Sequence, residues 1–282
     1  IRDSVASRGL GDVYKRQALH WTGIYGSTDS TTTTELLVDV IPNLGRNLES
    51  LQISKSHFDD QANAAMAKCL QHLGRLKSLT LSANTGLRAT AIGSALTSLN
   101  SLQSLDIGAS QFLDAESLFS GLQKPLPNLK EVKLHLLWPG AGTLGLDKPV
   151  AGVGARVGKF HLLPNLTSLN LGNNGISQTD FRTLTAALLA APPLRLEALN
   201  LGNNDIGVTG VSVLADHLLP KLRHLRVLRV DNAKLGPEGA SVLAKALALG
   251  KLPQLTRLDL AHNAIGDEGA IHVAIALAHA KN

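Results

Sequence analysis

Four features of the 282-residue chain pair residue types in ways that could do chemistry. Gly152-Val-Gly-Ala-Arg-Val-Gly-Lys159 has the glycines and the lysine of a phosphate cradle, in which backbone amides hold the phosphate and the lysine neutralises it. The interval from Gly154 to Gly158 is too short for that motif, and Phe160 stands where a Ser or Thr is required. Asp59-Asp60 could serve as paired acids, but they stand where a helical pattern begins, and capping of the free first-turn amides is the reading we adopt. Cys69 shares a helical face with Met66, Leu70 and Leu73, which makes it a packed thiol rather than a nucleophile. The ten histidines include no H-E-x-x-H pair, and neither G-x-S-x-G nor a Cys-His constellation accompanies them. The expectation is a chain that is not an enzyme, with no catalytic residue, no metal and no cofactor.

The elements that position these residues come from an unusual composition. Leucine occurs 54 times against five Phe, two Trp and two Tyr, so the core is built almost entirely from one side chain. A single cysteine excludes a disulfide framework, and no run of about 18 apolar residues offers a membrane span. Ile1 to Gln17 resembles translated sequencing adapter and is expected to be disordered, outside the fold. Without it the net charge of +5 falls to +3. The only methionine is Met66, so the native start is expected to be missing and the chain to be a fragment; a cytoplasmic location is the working expectation.

Segments of the form L-x-x-L-x-L-x-x-N begin at Leu48, Leu76, Leu102, Leu129, Leu166, Leu196, Leu225 and Leu255. Within each, period-two alternation sends pairs such as Leu169 and Leu171, Leu199 and Leu201, or Leu258 and Leu260 to one face of a short strand. Apolar residues then recur at helical spacing, as in Leu214 and Leu218, Leu243 and Leu247, or Val273 and Leu277, so each helix turns a stripe toward the strand leucines. Pro164, Pro193, Pro220 and Pro253 end the helices. Asn84, Asn174, Asn204 and Asn263 close the strands, where a carboxamide that both donates and accepts can pair backbone groups from one unit to the next. Ser56, Ser110, Leu137 and Ala233 replace that asparagine, and those coils are expected to be looser.

Strands pack about 4.8 Å apart and helices about 8–10 Å apart, so such a stack must bend with the strands inside. The expected fold is α/β: a horseshoe solenoid with a parallel sheet on the concave face and helices on the convex face. The spacing near 28–30 and the run from Leu255 to Ala270 resemble the ribonuclease-inhibitor-type leucine-rich repeats. Residues 48–282 are taken as the repeat domain of about eight units, with an excursion near 138–152. Residues 18–47 are taken as a degenerate N-terminal repeat or cap, with a loop at Ser27 to Thr34 and a helix end at Leu36, Leu37, Val40 and Ile41.

The middle outward position of each strand reads Gln52, Thr80, Asp106, Lys133, Asn170, Asn200, Arg229 and Asp259, polar throughout. Glu131, His135, Asp231, Arg257 and His262 flank it, and Arg226 lies just outside. The expected function is a protein-interaction scaffold that binds another protein through Lys133, His135, Asn170, Asn200, Arg226, Arg229, Asp231, Arg257, Asp259 and His262, with Trp138 of the excursion as a further anchor. Charges this mixed, with so few aromatics, argue against nucleic acid; no membrane partner is expected, and the oligomeric state is left open. The resemblance also implies two alternatives. One is a GTPase-activating protein similar to the Ran regulators, with Arg88 as the arginine of a strand-to-helix loop; the other is the ligand-sensing repeats of a NOD-like receptor.

Overall fold

Alternation decides the first half of every coil. Leu51, Leu79, Leu105, Val132, Leu169, Leu199 and Leu228 are each buried between two outward-facing neighbours, as period-two geometry requires of a sheet covered on one side. The computed structural model describes residues 18–23, 28–44, 47–110, 122, 124–135, 160–190 and 194–279. The adapter-like segment, the excursion near 138–152 and the Gly-rich stretch 152–159 lie outside these residues.

Nine strands form one parallel sheet in sequence order. They are β1 (Ala18–Thr22), β2 (Ser50–Ser54), β3 (Ser78–Thr80), β4 (Ser104–Asp106), β5 (Glu131–Lys133), β6 (Ser168–Asn170), β7 (Ala198–Asn200), β8 (Val227–Arg229) and β9 (Arg257–Asp259). The helical halves are α1 (Thr31–Glu35), α2 (Asp60–Gln71), α3 (Ala89–Leu96), α4 (Gln178–Leu189), α5 (Gly207–Val213), α6 (Gly236–Ala248) and α7 (Gly266–His279). The sheet stays open, and its narrow strand spacing against wide helix spacing gives the horseshoe.

Two expectations for the N-terminal segment change. The sequence pattern shows eight strands, whereas β1 adds a ninth in register with β2, placing Leu19 opposite Leu51 and Trp21 opposite Ile53. It is hidden in the sequence because Trp21 stands where later strands have an aliphatic residue. The Ser/Thr run expected as a loop is helical from Thr31, since Thr33, Leu36, Leu37 and Ile41 are buried and packing overrides the weak helix propensity of threonine. A π turn, Leu36–Val40, carries the chain on to Pro42, as the apolar spacing there implied.

At the other end the expected stripe fails in part. Val273 is buried but Leu277 is 50% exposed, and Leu258 and Leu260 are only partly covered. No strand or helix among the described residues packs on the outer side of β9 and α7.

Where the chain leaves the sheet, buried asparagines do the work that ladder hydrogen bonds do inside it. The Asn204 Oδ1 accepts the amides of Asn174 and Ile176, both at 3.0 Å, while its Nδ2 donates to the carbonyls of Leu171 (3.0 Å) and Leu201 (2.8 Å). Asn263 repeats the pattern two coils on, accepting from Ala233 and Leu235 and donating to Val230 and Leu260. Asn84 donates to the Ile53 carbonyl and accepts from Ser56. Ser110 does not leave its coil unpaired: its hydroxyl donates to the Leu81 carbonyl and accepts the Asn84 amide. A serine thus makes half of the asparagine's bonds from a shorter side chain. Ala233 has no side-chain acceptor to offer the coil before it, while its own amide is held by Asn263 of the next coil, as that of Asn174 is by Asn204.

Asn204→Ala takes a partner from four buried backbone groups, of which the Leu171 carbonyl keeps another in Asn174 Nδ2. It is expected to cost about 3 kcal/mol or more, whereas Asn232→Ala, which removes one exposed side-chain bond to Asn203, is expected to cost about 1 kcal/mol or less. Urea denaturation followed by circular dichroism measures both; equal losses would refute the ladder as a source of stability.

Candidate partner-binding surface

The parallel register carries one outward residue of each strand into a single column. His20, Gln52, Thr80, Asp106, Lys133, Asn170, Asn200, Arg229 and Asp259 are consecutive Cα partners across the sheet. The column expected from the sequence is therefore present, with His20 added at its start.

Several of its members also have a job inside the chain that spacing alone did not reveal. Asp106, Asn170, Asn200 and Asp259 each accept, through Oδ1, the backbone amide two residues on, at Gly108, Gly172, Gly202 and Ala261. This Asx-type bond turns the chain out of the sheet. The signal was in the sequence, as Asp106-Ile-Gly108, Asn170-Leu-Gly172 and Asn200-Leu-Gly202. Where the column residue is a cation, charge replaces that bond. Lys133 Nζ lies 3.1 Å from Glu131 Oε1, and Glu131 also accepts the Ser104 hydroxyl. Arg229 Nε sits between Asp231 at 3.3 Å and Asp259 at 3.4 Å. Neither contact gives Nε a hydrogen bond, so charge alone places the guanidinium between two carboxylates.

The outward position after this column is glycine in three coils, Gly108, Gly172 and Gly202, and at two of them the reason is steric. A Cβ on Gly108 would stand 2.2 Å from the His135 ring, and one on Gly202 would stand 2.4 Å from the Asp231 carboxylate. His135 and Asp231 fold over the glycine of the preceding coil. The sequence-expected residues thus divide by place. Lys133, Asn170, Asn200, Arg229 and Asp259 form the column, His135 and Asp231 cover the glycines beside it, and Arg257 is an outward strand residue. Arg226 lies at the rim where β8 begins; its carbonyl accepts the amides of Thr256 and Arg257. His262 is not on the strand face: it occupies the left-handed loop position (φ 58°) matched by Asn173 and Asn203 in earlier coils.

Asp59, Asp60, Arg88 and Cys69 each have a place in the packing of the chain. Asp59 caps α2, accepting the Ala62 amide at 2.7 Å, and accepts the hydroxyl of Ser30, the residue just before α1. The Ser30 bond first, and the Ala62 amide second, hold its carboxyl below the usual value. Asp60 faces away from Asp59's partners and pairs with Arg88 at 2.7 Å, so the arginine considered for GTP hydrolysis is occupied in joining two adjacent coils. Cys69 is buried on α2, and desolvation pushes its thiol up to about 12. A cavity of about 430 Å³ lies beside it on the helical side, lined by Leu37, Val38, Pro42, Ala65 and Lys68 among others. Among the described residues no three His, Cys, Asp or Glu side chains converge as metal ligands, and no helix is long and apolar enough to cross a membrane.

Sheet order, coil register and the asparagine ladder define an α/β leucine-rich repeat solenoid. A family profile described as "Leucine Rich repeat" matches residues 163–179, 196–215, 221–244 and 251–274. A solved structure of a Bacteroides fragilis protein is similar in fold, with a TM-score of 0.58 and 16% identity over 92% of this chain and 69% of that one. None of the curated proteins compared with the chain matches it.

Two measurements test these assignments. A folded-state carboxyl held below its ordinary value contributes stability above the unfolded value and loses it as pH falls. Asp59→Ala is therefore expected to destabilise at neutral pH, with the difference from wild type vanishing as pH drops below 3.8 toward the depressed value; a gap that persists in acid would refute the charged cap. A thiol raised from 9.0 to about 12 carries roughly a thousandfold less thiolate at neutral pH, so Cys69 is expected to react with a disulfide reagent only after urea unfolding. Rapid reaction of the native chain would contradict its burial.

Proposed function

We propose that this chain is a noncatalytic interaction scaffold of the ribonuclease-inhibitor type, which binds a partner protein along the concave sheet. The observation that carries this reading is the unbroken register of the polar column over nine strands. Its side chains are already ordered by Asx-type bonds and ion pairs, so little further entropy is lost when a partner docks. The ribonuclease-inhibitor type is supported by the length of the helical halves, with α2, α4, α6 and α7 each spanning 12–14 residues.

Within the column we assign recognition to Lys133, His135, Asn170, Asn200, Arg229, Asp231 and Asp259, with Arg226, Arg257 and His262 at the margins. The C-terminal part carries alternating charge, which favours selection of a partner by complementary charge over sheer affinity. Arg229 is the centre of that pattern. Its side chain is 41% exposed and already placed between two carboxylates, so it presents its charge to an incoming group without having to be ordered first. A cytoplasmic setting fits a chain with a single, buried thiol.

The test exchanges the central pair. Arg229→Asp with Asp259→Arg keeps an internal ion pair but inverts the surface pattern. It is expected to leave the circular dichroism spectrum unchanged and to lower capture of the partner at least about tenfold. A photo-crosslinking residue at Asn170 should label the same partner, and one at Thr183 on α4 should not. Capture unaffected by the exchange, or labelling from α4 alone, would remove the concave face from the account.

A further inference from the structure

The two rims of the horseshoe differ in charge. The loops that leave the strands, with the first helical turns after them, carry Asp59, Asp60, Asp180, Asp205, Asp231 and Asp267 against Lys55, Arg88 and Lys234. The opposite rim, where helices return to strands, is basic, and its charge is densest in the turn Lys221-Leu-Arg-His-Leu-Arg226 before β8. Leu222 and Leu225 are fully buried, so Lys221, Arg223, His224 and Arg226 all stay exposed on one short segment. The turn is fixed from within: Leu222 N–H donates to the Leu219 carbonyl and Leu225 N–H to the Leu222 carbonyl, each at 3.0 Å.

Lys221, Arg223 and Arg226 form no ion pair with any described residue, and neither does Arg195 in the coil before. On the same rim Lys77 is paired with Glu49 and Lys251 with Asp216, Arg75 donates to Asn47, and Lys130 forms no ion pair with a described residue. What sets the turn apart is the number of unpaired cations on one short segment.

We propose that the turn Lys221 to Arg226, with Arg195 beside it, is a second docking surface, and that it takes an acidic peptide segment of a protein partner. Two arginines with planar donor forks suit carboxylates, which they can engage in a bidentate fashion. A peptide is favoured over nucleic acid by the acids set among the cations. Glu197, whose carbonyl accepts the Arg226 amide, is exposed on the adjoining coil, and Asp216 lies one turn before Lys221. A carboxylate on a flexible side chain can turn away from these acids, whereas a phosphodiester fixed in the polymer backbone cannot. No aromatic residue in the turn or in Arg195 to Glu197 offers a base a stacking surface. The inference shares the reading of the chain as a protein-binding array but does not depend on the concave column.

The experiment uses fluorescein-labelled decaglutamate and the whole chain, read by fluorescence anisotropy. Wild type should bind, and affinity should fall about tenfold between roughly 0.05 M and 0.3 M salt as the charges are screened. Arg223→Glu with Arg226→Glu should weaken binding at least about tenfold at the lower salt, while Lys55→Glu with Lys234→Glu on the acidic rim should stay within about twofold. If the glutamate pair unfolds the chain by circular dichroism, Arg223→Gln with Arg226→Gln is read instead and should still lose affinity. The exchange of Arg229 and Asp259 should leave decaglutamate binding intact, which separates this surface from the concave one. No binding by wild type, equal binding by the rim variants, loss on the Arg229 and Asp259 exchange, or tighter binding of decathymidylate than of decaglutamate would each overturn the proposal.

Discussion

A chain that runs out of a sheet every 26 to 37 residues must find partners for the backbone groups it takes along, and the buried carboxamide meets that constraint. Asn204 holds two amides of the coil before it while donating to carbonyls of both coils. Hydrophobic burial makes the coils adhere, yet leucine contacts are forgiving of slippage. The asparagine bonds are directional and fix each coil at one height on the next. Because register is fixed, outward residues line up, and because they line up there is a column to speak of.

The surface that results is both wall and bracket. Asn170 and Asn200 face outward, as a binding residue must, but their side-chain oxygens are also engaged in turning the chain toward the helix. The cationic positions escape this double duty. Lys133 and Arg229 make no such turn and are steadied by Glu131, Asp231 and Asp259. Variation in charge is therefore easiest at the positions where recognition would be written, while the asparagine positions are held by the architecture. The rim follows a similar division, with buried Leu222 and Leu225 setting the turn and the cations between them left unengaged.

Much of this was legible from residue spacing. The eight recurring leucine segments, the inward pairs such as Leu199 and Leu201, and the pairing role of the asparagines all follow from periodicity and from what a carboxamide can do. β1 was not legible, because Trp21 breaks the aliphatic rule and only the register with Ile53 discloses it. The helix at Thr31 was hidden by its own composition, since long-range burial of Thr33, Leu36 and Leu37 decides it. His262 was misplaced by one residue: a left-handed loop position and a strand position look alike when only the alternation is counted. Ser110 was read as a weak point because serine lacks the reach of asparagine, whereas the Leu81 carbonyl lies close enough for a hydroxyl.

The glycines beneath His135 and Asp231 bear on how such an array can be inherited. Gly108 and Gly202 have no room for a methyl group because a residue of the following coil rests where it would be. A coil is thus not self-sufficient, and its vacancy is cut to the shape of its successor. Gene-level gain or loss of a single unit would bring together a glycine and a stranger, or a broad side chain and no niche. Evolutionary exchange in this array should accordingly conserve neighbouring pairs, with the pair rather than the individual coil as the heritable module.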